Sequence, residues 1–272
     1  MIDAISSAQN PRIKDLITLQ SKSKERKSRG RFVVEGQREV ARAIACGFIP
    51  ETFFICESLC PIGTIVKPGQ RFTSKEGNGF EPKFFSIPQF LYEKVAYRGD
   101  TEGIIGIFLS DEKSLDELRL SESPLIIVLE SVEKPGNLGA VLRSADAVGA
   151  DAVIVCDPLT DIFNPNVIRA STGAVFSVQC LCCGSEELYS FLKQHNISIL
   201  TAQLQDSKLY YDTDMTKGTA IVFGTEDKGL TDFWRERSDA KIRIPMAGLA
   251  DSLNVSVSAA VLCYEAVRQR QK

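Results

Sequence analysis

From residue 125 to the C-terminus, short apolar runs alternate with helix-like segments, and this alternation restricts the fold more than any other feature of the chain. L-I-I-V-L-E (125–130), A-V-I-V-C (152–156), V-F-S-V-Q-C (175–180), I-S-I-L-T-A-Q (197–203), T-A-I-V-F-G (219–224) and K-I-R-I-P (241–245) read as strands. Helical patterns fall between them, over about 137–149, 164–171, 185–195, 230–238 and 252–270. Apolar runs without in–out alternation are buried on both faces, so the expected fold class is α/β, a parallel sheet covered by helices. Ligands of such sheets bind beyond the carboxyl ends of the strands. The loops after 129, 156, 202, 224 and 245 are therefore where chemistry is expected.

The N-terminal part reads as a smaller, separate α/β unit. Asn10-Pro11 opens a helix, R-F-V-V-E-G (31–36) and E-T-F-F-I-C (51–56) are strands, and R-E-V-A-R-A-I-A-C-G (38–47) is helical. The segment 67–83 reads as a surface loop, while F-F-S-I, P-Q-F-L-Y-E-K-V-A and G-I-I-G-I-F-L (103–109) complete the unit. Residues 111–124 are polar with isolated leucines, which places domains at 1–110 and 125–272 with a linker between.

Charge divides along the same line. Residues 1–110 carry 16 basic against 12 acidic side chains, net +4; residues 111–272 carry 16 against 23, net −7. Lys22, Lys24, Arg26, Lys27, Arg29 and Arg31 crowd into ten residues with only Glu25 opposing them. Such a cluster can neutralise phosphates and release counterions, so it reads either as a nucleic-acid-contacting segment or as a solvated basic helix end.

With 44% hydrophobic and 25% charged residues the chain is of ordinary globular composition, which excludes disorder. No apolar run approaches the ~18–20 residues that span a bilayer. The start, M-I-D-A-I-S-S-A-Q-N, lacks an apolar signal core, so a cytoplasmic chain is expected. Its eight cysteines are then expected as thiols, and the C-x-x-C at 180–183, following an apolar run, as buried strand residues. With one histidine, His195, no metal site is expected.

Three loops carry the candidate chemistry. In the first, Pro135-Gly136 turns the chain, Asn137 is placed to cap the next helix, Gly139 permits close approach, and Arg143 lies further along it. Neither a G-x-G-x-x-G dinucleotide fingerprint nor a P-loop is present, which excludes those nucleotide-binding classes. In the second, F-G-T-E-D-K-G-L (223–230), Gly224 and Gly229 bracket Glu226. In the third, Pro245 stops the strand, Asp251 or Ser252 caps the last helix, and Asn254 and Ser256 are small polar groups that need partners. Met246 reads most simply as a gap-filling side chain. The final helix is apolar enough to be deeply buried or to pack against another subunit.

Taken in order, N-L-G-A-V-L-R (137–143), F-G-T-E-D-K-G-L (223–230) and I-P-M with S-L-N-V-S-V (244–257) resemble the SpoU/TrmH family of RNA ribose 2′-O-methyltransferases. V-I-R-A-S-T-G-A (167–174) is similar to the family's intermediate arginine–glycine segment. N-P-R-I-K, R-F-V-V-E-G and E-G-I-I-G-I-F resemble its N-terminal RNA-binding domain, a small α/β fold like that of certain ribosomal proteins. Glu102 stands where the family usually has glutamine, and the 67–83 loop is atypical.

The resemblance implies a SPOUT domain with a deep trefoil knot, an exception to the rule against knots. It implies S-adenosylmethionine as cofactor, held at Gly224, Ile244 and Leu253, with Thr201 or Ala202 and the neighbouring Met246. It maps the RNA site, and with it catalysis, to Asn137, Arg143, Glu226, Ser252 and Asn254, and it implies a homodimer.

The residue inventory suits that chemistry. Arg143 cannot be a base at neutral pH, because a guanidinium keeps its proton to above ~12. Its fork suits bidentate holding of the phosphate beside the target ribose, leaving a phosphate oxygen or water to take the proton. Positioning is then the main catalytic contribution, and no step requires a metal. The N-terminal domain favours 23S ribosomal RNA as substrate. The alternatives are a transfer RNA methyltransferase and an inactive RNA-binding or ribosome-assembly protein of the same fold.

Overall fold

The computed structural model describes residues 2–73, 77, 79–97, 102–110, 113–225 and 227–271. They form two compact units, one comprising Met1–Asp111 with Phe163–Arg169, the other Glu112–Ile162 with Ala170–Lys272. The short segment 163–169, which sequence reasoning leaves within the C-terminal domain, thus belongs to the first unit.

The first unit holds strands β1 (Asp3–Ala4), β2 (Arg31–Glu35), β3 (Pro50–Ile55), β4 (Phe72–Thr73), β5 (Gly79–Phe80), β6 (Lys83–Ser86) and β7 (Ile104–Leu109). Its helices are α1 (Pro11–Ser21), α2 (Ser23–Arg29), α3 (Gln37–Ala45) and α4 (Gln89–Val95). Five strands form one mixed sheet in the order β1-β6-β3-β7-β2, while β4 and β5 pair within the expected 67–83 loop. Asn10 caps α1 by accepting from the Arg12 N–H at 2.9 Å. The aromatic core includes Phe32, Phe53, Phe54 and Phe108, and Phe163 stacks on Phe32 at 4.2 Å.

The second unit holds β8 (Leu125–Glu130), β9 (Ala152–Cys156), β10 (Cys180–Cys183), β11 (Ser198–Ala202), β12 (Lys208–Leu209), β13 (Thr219–Phe223) and β14 (Ala240–Arg243). Between them run α5 (Pro135–Val148), α6 (Pro165–Ala170, mostly in the first unit), α7 (Ala174–Ser177), α8 (Ser185–Gln194) and α9 (Asp232–Arg237), and α10 (Val255–Arg270) closes the chain. The seven strands lie in the order β10-β9-β8-β13-β11-β14-β12, every pair parallel. Ile126 and Val128 of β8 join Trp234 and Leu192 in the core on one face. Successive strand residues point to opposite faces, so Ile127 and Leu129 meet the other layer, where α10 packs on α5, β8 and β13. Each fully buried aliphatic side chain contributes about 1.5–3 kcal/mol.

Several local expectations are corrected. V-F-S-V-Q-C is not one strand: Ala174–Ser177 is a helical turn after Gly173, whose φ is +81°, and the strand begins at Cys180. Of its cysteines, Cys182 is exposed and Cys180 and Cys183 are half-buried; none of the eight forms a disulfide. Of the expected linker, the described residues 113–124 are packed through Leu115 into the second unit's core. α5 starts at Pro135, because proline suits the first helical position, so Asn137 lies inside the first turn and is not its cap. α10 is capped by Asn254, and neither Asp251 nor Ser252 does so.

Candidate active site

The chain order reverses between β8 and β13, with β9 and β10 on one side and β11, β14 and β12 on the other. A crevice forms at the carboxyl ends of the strands at such a switch point. Here it is a cleft of about 660 Å³ whose lining includes Glu130, Asn137, Gly224, Lys228, Thr231 and Arg235. Glu130, the last residue of β8, is 3% exposed. Its Oε2 accepts from the Thr231 N–H at 2.8 Å and its Oε1 from the Thr231 hydroxyl at 2.6 Å. A buried carboxylate needs such partners, and these fasten the end of the 224–231 loop to the sheet.

Gly224 is required where that loop leaves β13. A Cβ there would lie 2.1 Å from the Gly229 carbonyl carbon. Thr225 and Gly229 exchange backbone hydrogen bonds of 3.0 Å, and Gly229 has a φ of +67°. The turn is thus built on the two glycines the sequence singles out. Glu226 lies outside the described residues.

A smaller pocket opens beyond β11 and β14, lined by Ala202, Gln203, Ile244, Met246, Ser252 and Leu253 among others. Apolar walls with a few polar groups suit a nucleoside-bearing ligand. Four expected cofactor residues, Ala202, Ile244, Met246 and Leu253, line it. Gly224 lines the larger cleft. Thr201 lines neither cavity, because its side chain is wholly buried and donates to the Ser238 hydroxyl at 3.1 Å.

Asn254 lines neither cavity, but its chain neighbours do, Leu253 the pocket and Val255 the cleft. Its Oδ1 accepts from the Ser256 N–H at 2.9 Å and the Ser256 hydroxyl at 2.6 Å, capping α10. Its Nδ2 donates to Asn137 Oδ1 at 3.3 Å. Ser252 is exposed at the pocket. Arg143 is not brought to these residues within the chain: it is exposed on α5, six residues beyond Asn137 and about 120° round the helix, and lines neither cavity. Lys134, Lys228 and Arg235 face the cleft together with Glu133, Asp227 and Asp232. His195 lines neither cavity and lies at the end of α8, with Nδ1 2.9 Å from the Phe191 carbonyl.

The basic cluster of the first unit is largely spoken for. Arg26 is 4% exposed and donates through Nη1 to the carbonyls of Leu19 at 2.7 Å and Gln20 at 3.1 Å, which corrects its reading as an RNA contact. Arg29 pairs with Asp15 and, at 2.8 Å, with Glu25; Arg31 pairs with Glu51 at 2.6 Å. Lys22, Lys24 and Lys27 remain exposed. Sequence reasoning missed Glu130, Gln203 and Arg235. A carboxylate ending the apolar run L-I-I-V-L-E was the available signal for the first.

Among the described residues, no three His, Cys, Asp or Glu side chains are grouped to hold a metal ion, and no helix is long and apolar enough to cross a membrane.

Fold and site together define a class: an α/β protein with a parallel sheet and a ligand site at its topological switch point, joined to a smaller α/β unit. The chain belongs to the SpoU rRNA Methylase family, whose model matches residues 124–264; residues 10–106 match the MRM3-like substrate binding domain. It is 28% identical to the 23S rRNA (guanosine(2553)-2′-O)-methyltransferase RlmP of Bacillus subtilis, over 96% of this chain and 97% of that protein. A crystal structure of an RNA 2′-O ribose methyltransferase is 38% identical and superposes with a TM-score of 0.80, covering 99% of this chain and 100% of the other. The SpoU methyltransferase AviRb of Streptomyces viridochromogenes, solved in complex with AdoMet, is 27% identical with a TM-score of 0.83, over 97% and 99% of the two chains.

Proposed function

We infer that this chain methylates the 2′-hydroxyl of a ribose in 23S ribosomal RNA, with S-adenosylmethionine as the methyl donor. The observation that carries the reading is that one short segment serves both cavities, Leu253 lining an apolar pocket suited to the donor and Val255 a polar cleft open to a larger substrate. The chemistry of the pocket lining suits the cofactor: Ala202, Ile244, Met246 and Leu253 supply apolar walls, and Gln203, Arg243, Asp251 and Ser252 are among its polar groups. When bound, S-adenosylmethionine supplies an electrophilic methyl group.

The chain's own contribution is to place the ribose. Asn137 and Asn254, already joined, present amide groups to the sugar at the mouth of the cleft. Arg143 holds the adjacent phosphate through its planar fork, and a phosphate oxygen or water takes the hydroxyl proton. Glu226 and Ser252 complete the RNA site implied by the resemblance.

The reading extends to a homodimer. Val257 and Tyr264, seven residues apart on α10, are 47% and 54% exposed, an apolar strip that a second copy would cover. Two-fold pairing there gives Arg143, which lines neither cavity of its own chain, a route to the partner's cleft. The knot implied by the resemblance is supported by the return of the chain from β14 to pack α10 on α5. The N-terminal domain, 1–110, binds the RNA ahead of the methyltransferase domain, 125–272, and the enzyme acts in the cytoplasm, as its bacterial relatives suggest.

Transfer of labelled methyl from S-adenosylmethionine to ribosomal and to transfer RNA tests the reading. Label in ribosomal RNA is expected. Label in transfer RNA alone would replace the substrate, and label in neither would favour a binding protein.

A further inference from the structure

Among the described residues, three buried side-chain atoms make no hydrogen bond: Gln203 Oε1, Thr213 Oγ1 and Arg235 Nε. Gln203 lines the smaller pocket, immediately beyond the carboxyl end of β11. Its main chain is fixed, with the N–H donating to the Ile242 carbonyl at 3.0 Å. Its amide orientation is fixed too, because Nε2 donates to the Gln205 carbonyl at 3.0 Å. Rotating the amide would set oxygen against oxygen, so Oε1 keeps its direction and stays without a donor. Arg243, the cation of the pocket lining, already donates to the Ser207 carbonyl.

A buried acceptor with no donor is costly in a folded chain and is retained where a ligand satisfies it. S-adenosylmethionine offers donors in its ribose hydroxyls, its adenine amino group and its ammonium group. We propose that Gln203 is a cofactor-binding residue whose Oε1 accepts a hydrogen bond from S-adenosylmethionine. The proposal rests on reading this pocket as the cofactor site. It adds a side-chain hydrogen bond to the apolar walls of Ala202, Ile244, Met246 and Leu253, and motif resemblance does not mark it.

The test is calorimetric titration of the full chain and of Gln203→Met, which keeps length but loses the amide. Two probes are used, S-adenosylmethionine and 5′-methylthioadenosine, and both proteins are also melted without ligand. The variant should bind S-adenosylmethionine about tenfold more weakly, the scale of one hydrogen bond. Its ligand-free melting temperature should stay close to wild type, because the lost Nε2 bond to the Gln205 carbonyl is offset by removal of the unsatisfied Oε1. An equal loss for 5′-methylthioadenosine places the donor on the nucleoside, and an unchanged affinity for it places the donor on the amino-acid part. Unchanged S-adenosylmethionine affinity overturns the proposal, as does a ligand-free melting temperature well below wild type, which makes the amide structural. If wild type itself does not bind S-adenosylmethionine, the assignment of the pocket falls as well.

Discussion

Asn254 Nδ2 donates to Asn137 Oδ1 at 3.3 Å, across 117 residues of sequence, and ties the cap of α10 to the first turn of α5. The same side chain therefore has two duties, holding a helix end and bonding Asn137 of the cleft lining. The duties separate by substitution. Asn254→Asp keeps the capping oxygen and loses the donor, so stability should stay close to wild type while single-turnover methylation falls at least tenfold. Asn254→Ala loses both, with about 1 kcal/mol of stability gone as well. Denaturant unfolding beside single-turnover rates checks this; equal rates for Asn254→Asp and wild type would leave only the capping role.

Arg143 is exposed, so its replacement should be nearly neutral for folding. Arg143→Lys keeps the charge and loses the fork. Turnover should fall on the order of 10²-fold, the scale of removing a preorganised charge stabiliser. S-adenosylmethionine affinity and melting temperature should not move. Near-normal turnover would remove Arg143 from the mechanism.

Much of this was legible in the sequence for identifiable reasons. β8 and β13 are apolar runs that alternation with helices could assign, and their carboxyl ends pointed to loops that line the larger cleft. A-V-F-S reads as strand because a short, mostly apolar run suits a strand or one helical turn equally. Pro135 reads as a turn residue in the sequence although it fits the first position of α5 equally well, and that reading places Asn137 in a capping role. Arg26 shows the other limit. Charge spacing does not reveal that its guanidinium folds back onto the last carbonyls of α1, because that depends on where α2 begins. Gln203 was silent for the same reason, since an orphan atom exists only once its neighbours are in place.

The basic segment therefore divides in two. Lys22→Ala, Lys24→Ala and Lys27→Ala together should weaken RNA binding and flatten its salt dependence without lowering the melting temperature. Arg26→Ala should cost about 1–3 kcal/mol of stability through the carbonyls it leaves unpaired. RNA affinity against salt and thermal melting, measured on both proteins, would expose a reversed pattern.

Burial in α10 pushes the Cys263 thiol from its ordinary 9.0 up to about 12. With the folded value raised, the contribution to stability is complete below about pH 9 and is lost as pH rises toward 12. Unfolding free energy should fall over that window. In Cys263→Ala the decline should be shallower by the equivalent of one proton, even though the variant is less stable at neutral pH. Identical slopes would mean that the thiol is not protected.

The central claim concerns a methyl group on a ribose, and mapping 2′-O-methyls in ribosomal RNA tests it most directly. RNA from cells lacking this gene should show one alkali-resistant linkage fewer in 23S ribosomal RNA than RNA from the parent. Wild-type protein should restore that linkage and Arg143→Lys should not. An unchanged 2′-O-methyl map in the deletion would contradict the account.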